Sequence, residues 1–189
     1  MKFMNRLVAA SIVLASGLYA TTASAGLIVN GAFETGNLAG WTISHWENNY
    51  VDVADNDFVP FGSYALYTGC VENLCSTSQA IATTPGSSYV FSFEYGNDGH
   101  TPSEFMAIFN GISLFHSLHD DVATAPGFAQ KSFNVVATGA STSVEFLATN
   151  PNGFFALDNV SVAAVPEPGA LALLLAGLAG LGISRCARK

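Results

Sequence analysis

From residue 88 to residue 95 the chain alternates strictly, with Tyr89, Phe91, Phe93 and Tyr95 on one side and Val90, Ser92 and Glu94 on the other. A period of two is that of a β-strand, and one wholly aromatic face predicts an antiparallel strand lying against a sandwich core. Phe105 to Phe109 and Ile112 to Phe115 form two apolar runs separated by Asn110-Gly111, the pair that favours a type I′ hairpin turn because both residues tolerate positive φ. Further strands are predicted at Leu27 to Val29, Trp41 to Trp46, Tyr64 to Tyr67, Ser76 to Ala82, Phe128 to Ala137, Thr142 to Ala148 and Phe154 to Val162, with turn residues between them. No convincing amphipathic helix interrupts the series. About nine or ten strands in about 140 residues imply an all-β fold, an antiparallel β-sandwich and most simply a jelly roll.

The pattern breaks at both ends. Lys2 and Arg6 precede an apolar stretch from Leu7 to Tyr19, and Ala23-Ser24-Ala25 fits a signal-peptidase site, so residues 1–25 are expected to be a signal peptide. At the other end Gly169 to Ile183 carries no charge and is followed by Arg185, Arg188 and Lys189. That run predicts a transmembrane helix over about 169–183 with a basic tail, 184–189, held on the cytoplasmic side. Fifteen helical residues span about 22 Å, less than the roughly 30 Å hydrocarbon core, which suits a temporary anchor. The sandwich domain is then 26–164.

Setting the two ends aside changes the charge balance. Of six Lys and Arg residues only Lys131 falls in 26–164, against all the carboxylates except Glu167. So acidic a domain repels phosphate backbones, which excludes nucleic acid as a partner, and it attracts divalent cations. Cys70 and Cys75, a close pair in an exported chain, are expected to form a disulfide that fixes a surface turn. His116 and His119 stand beside Asp120 and Asp121 in what reads as a solvated loop; on a strand, residues three apart would face opposite sides. There is no G-x-S-x-G and no H-E-x-x-H, and the reading is of a protein that is not an enzyme.

Two resemblances add an address and a ligand class. Val165-Pro166-Glu167-Pro168-Gly169, the short apolar run and Arg185 with Arg188 closely resemble the PEP-CTERM sorting signal of exopolysaccharide-producing Gram-negative bacteria. The resemblance implies Pro166, Glu167, Pro168, Arg185 and Arg188 as the sorting motif (165–189) and an exosortase, a membrane protease, as partner. The protein is then exported through the inner membrane, anchored by its C-terminal helix, and passed after processing to the cell surface or extracellular matrix.

The second resemblance covers nearly all of 26–164. Asn30-Gly31-Ala32-Phe33-Glu34-Thr35-Gly36 with Gly40-Trp41, and Leu157-Asp158-Asn159-Val160 near the end, look like the opening and closing strands of galactose-binding-like jelly rolls and their carbohydrate-binding modules. In such modules the opening Glu and closing Asp often hold a structural Ca²⁺, which points to Glu34 and Asp158, with Asn30 or a nearby carbonyl in support. Hard oxygen donors suit Ca²⁺. Sugar contacts call for exposed aromatics near amides and carboxylates, and by composition Trp46, Tyr50 and Tyr67 qualify, near His45, Asn48, Asn49 and Asp52; Trp41 and the alternating aromatics read as core. The expectation is a non-enzymatic surface protein associating with extracellular polysaccharide, or, with the same fold and address, a structural or adhesive matrix protein without a sugar site.

Overall fold

The structure is a computed structural model that describes residues 26–44, 50–55, 61–71, 73–119 and 127–166. It holds ten strands: β1 (Thr42–Ser44), β2 (Tyr50–Ala54), β3 (Ala65–Gly69), β4 (Cys75–Ala82), β5 (Ser88–Asn97), β6 (Ser103–Phe109), β7 (Ile112–His119), β8 (Gly127–Val136), β9 (Ser141–Thr149) and β10 (Phe155–Ala164). No helix occurs among the described residues. The strands form two antiparallel five-stranded sheets, β1-β4-β9-β6-β7 and β2-β3-β10-β5-β8. Four pairs nest inside one another: β6 with β7, β5 with β8, β4 with β9, β3 with β10, alternating between the sheets. This is a long hairpin wound around a core, the winding of a jelly roll.

The aromatic alternation of β5 does what its period implies. Tyr89, Phe91, Phe93 and Tyr95 are buried, and Phe93 meets Phe146 of the opposite sheet edge-on at 5.2 Å between centroids, while Tyr95 meets Phe105 at 4.6 Å. One continuous apolar core joins both sheets, from Phe33 and Trp41 to Val160 and Val162. The Asn110-Gly111 turn has φ of 50° and 78°, and Phe109 pairs with Ile112 across it.

Two local expectations differ from the structure. Leu27 to Val29 is not a strand: Asn30 and Phe33 take positive φ, of 51° and 54°, which breaks extension. The Gln79 side chain instead serves the backbone of Val29, its Oε1 accepting from the amide at 2.7 Å and its Nε2 donating to the carbonyl at 3.0 Å. His116 lies in β7 and not in a loop, with Nε2 2.9 Å from Glu104 Oε1, while His119 lies 3.4 Å from Ser117 Oγ. Cys70 and Cys75 are joined by a disulfide as expected; the turn it closes is at the surface at Val71 and Asn73, while both cysteines are buried. Their turn is tied inward, because the Cys70 carbonyl accepts from Asn150 N at 2.9 Å and Thr149 Oγ1 at 2.8 Å.

Candidate functional site

In β10, Phe155 and Leu157 face the core, and after the next residues Val160 and Val162 do so. The change of phase is a bulge: pairing with β5 runs to Asp158 opposite Glu94, breaks, and resumes at Ser161, with Asn159 at φ 47°. The bulge leaves Val160 N free of the ladder to donate to the Gly31 carbonyl at 2.8 Å, which draws the N-terminal segment across the strand. Asp158 sits beside this bulge and is 1% exposed. Its Oδ1 accepts from Asn159 N at 2.6 Å, whereas its buried Oδ2 has no hydrogen-bond partner.

Glu34 comes to the same place from the N-terminal turn. Its Oε1 accepts from the amides of Ser63 (2.9 Å) and Tyr64 (3.1 Å). Gly62, at φ +70°, makes that cradle possible, since a Cβ there would lie 2.1 Å from the same oxygen. Burial raises the Asp158 pKa to about 6; the Asn159 and Phe61 amides offset part of the rise, and the Glu34 and Glu94 carboxylates add to it. Glu94 had no signal in the sequence beyond its place on the outer face of β5.

A buried carboxylate oxygen without a donor, next to further carboxylates, is an environment that a proton or a hard cation would relieve. Two of the three ligands expected from sequence are thus brought together. The third, Asn30, is engaged in its own loop: its Nδ2 donates to the carbonyls of Asn37 (2.8 Å) and Ala39 (3.3 Å) and its Oδ1 accepts from Thr35 (2.9 Å). Among the described residues no group of three or more His, Cys, Asp or Glu side chains is arranged to hold a metal ion. The acidic pair would therefore need backbone carbonyls or water to complete a Ca²⁺ shell of about six to eight oxygens.

The aromatics expected to meet sugar divide. Tyr67 is 3% exposed and packs with Ala65 and Ala156, so it is unavailable to a ligand. Trp41 is core, its Nε1 donating to the Asn30 carbonyl at 3.1 Å. Asp52 accepts from Val53 N at 2.8 Å. Tyr50 remains 43% exposed at the start of β2, edge-to-face with Phe154 at 5.1 Å. Phe154 escaped the sequence reading, although a signal existed: of two adjacent phenylalanines at a strand end only one can face the core, and Phe155 does. His45, Trp46, Asn48 and Asn49 lie outside the described residues, as do the expected signal peptide, Glu167, Pro168, the helix at 169–183, Arg185 and Arg188. No helix among the described residues is long and apolar enough to cross a membrane.

No curated protein matches the chain. Solved structures do. TmCBM61, in complex with β-1,4-galactotriose, aligns with TM-score 0.56 and 15% identity over 75% of this chain and 100% of its own. The CBM22-1 xylan-binding domain of Paenibacillus barcinonensis Xyn10C gives 0.53 and 18% over 77% and 99%. The Stig cyclase Fisc from Fischerella sp. TAU gives 0.55 and 15% over 77% and 100%. At such identities the likeness is one of fold, and that fold serves sugar-binding modules and a cyclase alike. The tail is more specific: residues 164–189 match the PEP-CTERM protein-sorting motif, so the chain carries a sorting signal that implies exosortase processing, export and a cell-surface destination.

Proposed function

We propose that this chain is an exported surface protein that binds extracellular polysaccharide through its β-sandwich without catalysing a reaction, and that Glu34 and Asp158 hold a structural Ca²⁺. The observation that carries the reading is the joining of two features in one chain: a domain folded like carbohydrate-binding modules, directly followed by a PEP-CTERM sorting motif. Residues 1–25 serve as the signal peptide that starts export, and the apolar run at 169–183 anchors the precursor until the exosortase acts. The Ca²⁺ reading is supported by the unpartnered Asp158 Oδ2 and the neighbouring Glu34. Bound there, the ion would tie the N-terminal turn to β10 and neutralise a buried acidic pair.

The test is a glycan array probed with the purified protein in calcium and again in chelator. Saturable binding to a defined sugar is expected, with loss or weakening in chelator. A blank array from folded protein would replace the reading by a structural or adhesive matrix protein; unchanged binding and melting temperature in chelator would remove the Ca²⁺.

A further inference from the structure

Phe154 lies on a residue that has no side chain, and Tyr50 meets it there. Tyr50 opens β2, an edge strand of its sheet, and pairs with Gly69 of β3. A Cβ on Gly69 would lie 2.7 Å from Phe154 Cδ1 and 2.5 Å from the Gly153 carbonyl. The missing methyl lets the Phe154 ring lie down on the strand backbone with the Tyr50 ring at its edge. Covering a bare strand glycine is a structural service that one ring could perform. Here Phe154 performs it and Tyr50 stands against its ring, yet both rings stay about two-fifths exposed, at 43% and 41%, with Val71 half exposed nearby. Together with Asn150, Asn152 and Gly153 they line an open groove of about 460 Å³, within the roughly 300–1,000 Å³ typical of ligand sites.

The groove is braced from behind. Asp98 accepts from Phe154 N, from Asn150 Nδ2 at 3.1 Å and from His100 N at 3.1 Å. Gly153 allows this approach, because its Cβ would stand 2.0 Å from Asp98 Oδ2. On the other side the disulfide turn holds the loop through the two bonds to the Cys70 carbonyl. A wall fixed at both ends loses little freedom on binding.

Among the described residues no charged side chain lines the groove. Asp98 is the carboxylate behind it, and Lys131, the one Lys or Arg among the described residues, sits over the Phe115 ring at 4.6 Å. Among the described residues no Lys or Arg stands there to neutralise an anionic ligand. Flat apolar rings beside amide groups match the chemistry of a pyranose, which offers an apolar C–H face and hydroxyl edges.

We infer that this groove is the glycan site, taking a short uncharged oligosaccharide segment whose ring stacks on Tyr50 and Phe154 while Asn152 and the backbone of the 150–154 loop meet its hydroxyls. The inference rests on the carbohydrate-binding reading above.

The experiment screens the purified protein against an array of neutral and uronic-acid oligosaccharides, then follows the best neutral binder by calorimetry with Tyr50→Ala, Phe154→Ala and Tyr50→Phe. Loss of a ring at the centre of a site is expected to weaken binding by about tenfold or more, and Tyr50→Phe should stay close to the unaltered protein. NMR contacts between sugar protons and the Tyr50 and Phe154 rings in the unaltered protein are expected as well, and they decide the matter should an alanine variant fail to fold. Undiminished binding in both alanine variants, with no ring contacts, overturns the groove yet leaves a sugar-binding protein. Preference for uronic-acid oligosaccharides overturns the uncharged ligand class. Silence across the array overturns both the groove and the reading beneath it.

Discussion

Asp158 shows how one residue can couple a fold to its solution. Its folded pKa of about 6 lies above the value of 3.8 for an unperturbed Asp, so between those values the native state binds more protons than the unfolded chain. Stability then falls as pH rises from about 4 to about 6 in metal-free protein, by at most about 3 kcal/mol, and levels off above. Urea titrations in chelator at several pH values should trace that decline, and Asp158→Asn should flatten it. Calcium at the site would reverse the trend, since a bound cation favours the ionised carboxylate and stability would then be lost as pH falls. The residue type was readable in the sequence as an oxygen donor near the last strand. Its burial was not, because it depends on the bulge at Asn159 and on a loop, residues 61–64, nearly a hundred positions away.

At the scale of elements, the short disulfide between β3 and β4 is more than a surface clip. Cys70 and Cys75 close a loop of about six residues, for which chain entropy gives about 2 kcal/mol. A Cys70→Ser, Cys75→Ser double variant is expected to lose about that much in urea denaturation. It should also raise hydrogen exchange at Asn150 N, whose acceptor is the Cys70 carbonyl. Pairing of the cysteines could be proposed from their number and spacing in an exported chain. That their turn supports a loop 80 residues later follows from β4 and β9 lying side by side. The Asn110-Gly111 hairpin stands at the opposite extreme, because everything it needs is local: two residues that accept positive φ between two apolar runs.

For the whole molecule, the core is a single aromatic cluster spanning both sheets, and the sheets are expected to melt together. Phe93 touches Phe146 and Phe105 across the sandwich and Phe91 and Phe133 within its own sheet. Truncating it by Phe93→Ala should cost about 3–5 kcal/mol. Far-UV circular dichroism and aromatic fluorescence should report the same lowered midpoint, while two separate transitions would mean that the sheets are independently stable. The nested winding favours such cooperativity: apart from its local pairing with the edge strand β2, β3 joins its sheet only when β10 has come back to it.

By itself the amino-acid sequence determined what depends on neighbours along the chain. The two-residue period of β5, the hairpin at Asn110-Gly111, the all-β character and the sorting motif at the C-terminus are patterns a few residues wide, and side-chain direction or motif recognition follows from them directly. Tertiary structure alone decided which exposed and buried faces those patterns acquired. Tyr67 is buried and Tyr50 exposed, although the register puts both on the same face of one sheet, because Tyr67 lies mid-sheet, flanked by β2 and β10 and packed on Ala65 and Ala156, whereas Tyr50 opens an edge strand beside a glycine. Asn30 turned to its own loop and Gln79 took the place of a missing strand for Val29. Burial and partnership come from segments distant in sequence, and no local pattern encodes which of them will arrive.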